Sequence, residues 1–167
     1  MVDRDPSDGG VDRGASSRHH APVSVIIKFF VAPEDEAAAA VVERGPDGVF
    51  ESLACGNFDI EEALIEWESI FTGRRFEVLA AADEPRVVAD PDEGEGPMVL
   101  AASAPLQDAL TAADQPRLAE VSQLWVRERA AEDKTLDQEL ATKLLENLAH
   151  LARTAGGRDA RLYCWMA

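Results

Sequence analysis

Between Ser24 and Ala32 (SVIIKFFVA) apolar, β-branched and aromatic residues follow one another almost without a break. That pattern predicts a strand buried on both faces, near the middle of a sheet. Pro33 then suits a helix's first turn, with Glu34, Asp35 and Glu36 at the positive end of its dipole. AAAAVVER carries the helix on until Gly45-Pro46 stops it, and GVFESLACG reads as either a short strand or a packed loop.

The strongest helical period lies in FDIEEALIEWESIFTGRR, Phe58 to Arg75. Asp59 with Glu62 three residues later makes a variant of the capping box. At 100° per residue Ile60, Ala63, Leu64, Trp67, Ile70 and Phe71 share one face, while Glu61, Glu62, Glu66, Glu68 and Ser69 share the other. The glutamates are therefore expected in solvent, and Trp67 in the core with its N–H bonded. Ile65 breaks the pattern as an apolar residue on the polar face, placed to touch another element or a partner. Gly73 is a natural C-cap, and Arg74-Arg75 complements the negative end of the dipole.

Ala81 to Pro97 is acidic and rich in turn residues, an exposed loop with an extended piece at Val87-Val88. MVLAAS leads to Ser103 as an N-cap. Asp114 caps the next helix, whose inward residues are Leu118, Val121, Leu124 and Trp125. Thr135 and Gln138 form a capping box for a last helix with Leu140, Leu144, Leu148 and Leu151 at helical spacing, ended by Gly156-Gly157. ARLYCWMA closes the sequence as a strand rich enough to neighbour the first one. These elements predict an α+β fold over residues 23–167, a single compact domain with a small sheet that includes the N- and C-terminal strands and about five helices. Residues 1–22 carry too little apolar content to offset their ordering entropy and are expected as a disordered tail. Val23 would make an ordinary start if it were encoded by an alternative start codon.

A net charge of −16 opposes binding to nucleic acid or anionic membrane and suits a basic protein partner. Cys55 and Cys164 lack redox or zinc spacing, and Cys164 reads as a small buried hydrophobe in a reduced, cytoplasmic setting. Thirteen Arg against three Lys, with abundant Ala, reads as the composition of a GC-rich bacterial genome. No nucleotide-binding, zinc-protease, serine-hydrolase or EF-hand motif occurs. Adjacent His19 and His20 lack the fixed geometry of a metal site, and DPDEGE (Asp90 to Glu95) lacks the register of a calcium loop. Neither a metal nor another cofactor is expected.

The order of elements, with the acidic helix start and the Thr-Gly stop of FDIEEALIEWESIFTG, resembles the YfbM-like family of small bacterial proteins. Asp59, Thr72 and Gly73 match its pattern; the family's Trp would fall at Leu64 and its His at Glu68. The resemblance implies a compact α+β domain and transfers no catalytic residue. Two functions follow as expectations. One is a non-enzymatic, acidic protein-binding domain of the immunity or antitoxin kind, meeting a basic protein through Ile65, Glu61, Glu62, Glu66 and Glu68. The other is a small enzyme or ligand-binding domain with a pocket of scattered residues, His150, Arg161 and Tyr163 among them.

Overall fold

The computed structural model describes residues 25–56 and 58–167; the tail expected over residues 1–22, His19-His20 and the alternative start at Val23 lie outside them. The fold is α+β, with one five-stranded sheet and six helices among the described residues. In chain order the elements are β1 (Ile27–Ala32), α1 (Asp35–Ala39), β2 (Ser52–Cys55), α2 (Ile60–Thr72), α3 (Phe76–Ala81), β3 (Arg86–Ala89), β4 (Met98–Ala101), α4 (Ala104–Ala112), α5 (Gln115–Ala131), α6 (Gln138–Gly157) and β5 (Arg161–Met166). The strands run in the order β2-β1-β5-β4-β3, each antiparallel to its neighbour. The first and last strands are thus neighbours at the centre, from Ile27 opposite Met166 to Ala32 opposite Arg161.

Apart from Lys28 in β1 and Arg161 at the start of β5, both central strands are apolar because each sheet face has its own core. Ile27, Phe29, Val31, Leu100, Leu162 and Cys164 point to the side covered by α2, α4, α5 and α6. Phe30, Ala32, Val99, Ala101, Tyr163 and Trp165 point to the other side, where Ala38 and Val41 meet them. Strand side chains alternate between faces, so a run without alternation is what a two-sided core demands.

The ends of the elements follow the local chemistry with four corrections. Asp59, Ser103 and Asp114 accept hydrogen bonds from the backbone N–H three residues on, and Gly73 ends α2 at φ +74°, where glycine carries no Cβ penalty. The last helix, however, is capped by Asp137, which accepts from the Leu140 N–H at 3.0 Å. Gln138 instead donates to Ser122 Oγ and Thr142 Oγ1, so the Thr135–Gln138 box does not form. The first helix begins at Asp35 rather than at Pro33 and gives way to turns after Ala39, while Trp165 donates its indole N–H to the Val42 carbonyl at 2.7 Å. Helix α3 was not expected, since Arg75 gives it no side-chain cap and only Leu79 is buried. Leu124 is half-buried rather than inward, and Leu140 stands in solvent.

Candidate functional site

Helix α2 does not have the single wet face that its wheel suggests. Helices α3, α4 and α5 all pack on it. Ile65, Glu66 and Glu68 are consequently buried, at 8%, 8% and 3% exposure, while Glu61 remains in solvent and Glu62 is half-buried. The expectation of one solvated carboxylate face is overturned for Glu66 and Glu68, because the wheel assigns faces but not the number of neighbours a helix has.

Each buried carboxylate has its own partners. Three donors converge on Oε2 of Glu66: Trp125 Nε1 at 2.7 Å, Arg129 Nη2 at 3.0 Å and Arg129 Nε at 3.1 Å. The Arg129 guanidinium also lies 5.1 Å from the Trp125 ring centroid, within cation–π range. Glu62 receives Lys134 Nζ at 2.8 Å, and Lys134 reaches Glu132 at 3.1 Å. Ligand atoms of Glu62, Glu66 and Glu132 lie within 4.8 Å of one another, but the charges among them are the protein's own Arg129 and Lys134. Glu68 accepts from Ser103 Oγ at 2.7 Å while that hydroxyl accepts from the Leu106 N–H at 3.2 Å, so Glu68 holds the cap of α4. These acids clamp helices together.

The Trp67 indole is fully buried, at the centre of Phe29, Phe58 and Trp125 with ring centroids 5.0–6.2 Å away. Among the described residues its Nε1 has no hydrogen-bond partner, against the expectation of a bonded N–H. Trp125 and Trp165 both donate theirs.

What α2 leaves open is a groove of about 740 Å³ along α2, α3 and the start of β3. Asp59, Glu61, Glu62, Asp83 and Glu84 supply carboxylates to it, and Ile65, Phe76 and Val87 supply apolar surface. Phe76 and Val87 are 37% and 51% exposed. Arg86 is the one cation of the lining among the described residues, and Asp35 takes it bidentately at 2.6 and 3.1 Å. Burial lifts the Glu84 carboxyl above its ordinary range, and the charge of Glu68 adds to the lift. Glu84 was not a sequence candidate, since DEP within an acidic loop carries no sign of burial.

The residues expected in a pocket separate. His150 is exposed on α6, whereas Arg161 and Tyr163 line a 380 Å³ hollow with Pro33, Glu34, Asp35 and Glu36. There Tyr163 donates its hydroxyl to Asp35 Oδ1 at 2.8 Å, sharing that oxygen with Arg86 Nη2 and tying α1 to β3 and β5. Burial and then Asp35 push the phenol pKa up, and burial pushes the Cys55 thiol up to about 12. Both groups hold their protons firmly at neutral pH and are poor nucleophiles there.

The Arg86 hydrogen bond, then that of Tyr163, holds the Asp35 carboxyl below its ordinary value of 3.8. An acid whose folded pKa is depressed stabilises the fold above the unfolded value and loses that contribution as pH falls through the folded one. The stability difference between the wild type and Asp35→Asn is therefore expected to be constant near neutrality and to shrink below pH 3.8. Urea unfolding across pH 2.5–7, numbers set by the ordinary carboxylate range, checks this; a difference that grows in acid refutes it.

No protein-family model, curated protein or solved structure matches this chain. Among the described residues no helix is long and apolar enough to cross a membrane.

Proposed function

We propose that the chain is a non-enzymatic, acidic binding domain of the immunity or antitoxin kind, acting in the cytoplasm, and that a basic segment of a partner protein lies in the groove between α2, α3 and β3. The observation that carries this reading is the groove's composition: carboxylates on its walls, exposed apolar side chains, and a lone arginine already neutralised by Asp35. A segment alternating cations with apolar residues would meet charge with charge and cover Phe76 and Val87. The two free cysteines, one of them fully buried, suit a reducing compartment. A relation to the YfbM-like family belongs to the same proposal, supported by Asp59 and Gly73 at the two ends of α2.

The test uses a decapeptide alternating arginine and leucine, roughly the length of one docked strand. It should bind saturably, shift the resonances of Phe76, Asp83 and Val87, and weaken steeply with salt. Glu61→Lys with Asp83→Lys, both exposed, should weaken it by at least about ten-fold, equivalent to roughly 1.4 kcal/mol, while the circular-dichroism spectrum shows the fold retained. A docked cation favours ionised Glu84, so binding releases a proton and affinity rises with pH through that titration. Unchanged affinity in the doubly reversed variant refutes the groove as the site.

A further inference from the structure

A second concavity, lined mostly by apolar side chains, lies between β2 and the first half of α6 and measures about 580 Å³. Strand β2 is an edge strand of the sheet and only four residues long, and the first half of α6 lines the cleft beside it. Leu136, just before the Asp137 cap, lines the cleft with Leu140 and Leu144, one turn apart on α6, and Leu140 is 67% exposed. Leu53, Cys55 and Phe58 complete its half-buried apolar lining.

The polar groups of this cleft are chiefly donors. Lys143 lines it and has no carboxylate within ion-pairing distance among the described residues. Arg129 lines it too; its side chain is only 7% exposed, and its Nε and Nη2 are committed to Glu66. Among the described residues its Nη1 donates to no acceptor. The single acid of the lining, Asp137, is occupied as the cap of α6. Glu66 already balances the Arg129 charge, with Glu62 3.8 Å away, but Nη1 reaches the open cleft, so a carboxylate entering there meets Nη1 and Lys143 without displacing an existing bond.

We infer that this cleft binds an amphiphilic monocarboxylate, its aliphatic or aromatic body along Leu136, Leu140 and Leu144 and its carboxylate received by Lys143 and the remaining Arg129 N–H groups. The cleft lies within the roughly 300–1,000 Å³ typical of small-ligand sites. The charge of −16 does not forbid an anion there, since remote surface acids are screened beyond about 8 Å at physiological salt. The same charge opposes occupation by a second copy of the chain.

Decanoate, decanol and decyltrimethylammonium, each below its micelle concentration, are the probes, read by titration of assigned NMR resonances. Decanoate should saturate shifts at Leu53–Gly56 and Leu136–Asn147, and decyltrimethylammonium should not. Leu140→Glu, at an exposed position, should keep the fold and weaken decanoate by at least about ten-fold, equivalent to roughly 1.4 kcal/mol. Lys143→Gln should weaken decanoate and leave decanol unchanged. Equal binding of the cationic amphiphile, undiminished affinity in folded Leu140→Glu, or shifts at these residues only with an extended peptide would overturn the proposal.

Discussion

Glu66→Ala is expected to destabilise the protein by about 3–5 kcal/mol, the usual loss when one member of a buried ion pair is removed. Arg129 is left almost fully buried without the acceptor of its Nε and Nη2, only Glu62 remaining at 3.8 Å from Nη2, and the Trp125 N–H loses its acceptor. The partner change Arg129→Ala should cost a similar amount by stranding the carboxylate. The double variant Glu66→Gln/Arg129→Met removes both charges, leaves Trp125 an amide oxygen to bond, and fills the guanidinium's volume with an apolar chain. Its loss should fall well below the sum of the two single losses, because desolvation of the ions disappears along with their attraction. Urea unfolding of the three variants measures the coupling. Additive losses would mean that the pair contributes nothing as a pair.

Trp67→Ala should cost about 3–5 kcal/mol through loss of packing and the cavity left among Phe29, Phe58 and Trp125. The informative variant is Trp67→Phe. An unpaired buried N–H carries a penalty of about 1–3 kcal/mol, and Phe removes that N–H while keeping most of the ring. Its net loss should stay below about 2 kcal/mol, the remainder of the cavity term once that penalty is relieved. Trp125→Phe should cost more, since it deprives Glu66 of a donor in a buried site. Unfolding followed by far-ultraviolet circular dichroism, which does not depend on the altered fluorophores, ranks the two. A Trp67→Phe loss equal to or above that of Trp125→Phe would show that ring volume outweighs the orphan donor.

Much of the fold is legible in local patterns. The unbroken apolar runs of β1 and β5 announce central strands, and Asp59, Ser103 and Asp114 mark helix starts, because a strand's burial and a cap's hydrogen bond are decided within a few residues. The site is less legible. A glutamate on the polar side of a wheel looks the same whether water or a distant arginine meets it, and Glu66 and Arg129 stand 63 positions apart. Helix α3 escapes notice for a related reason, since its side-chain caps are missing and its contact is to α2. Leu140 and Leu144 keep the helical period of the buried positions on α6 yet line the open cleft beside β2, which period alone does not reveal.

The pairing of β1 with β5 has a kinetic consequence. Ala32 sits opposite Arg161, so the centre of the sheet closes a loop that spans nearly the whole described chain. Such closure is entropically costly and is rewarded only once both strands are in register. Helices α5 and α6 adjoin in sequence and pack on each other, so they can dock early without it. The folding transition state should therefore be polarised, with substitutions on the α5–α6 contact slowing folding and those in β1 chiefly speeding unfolding.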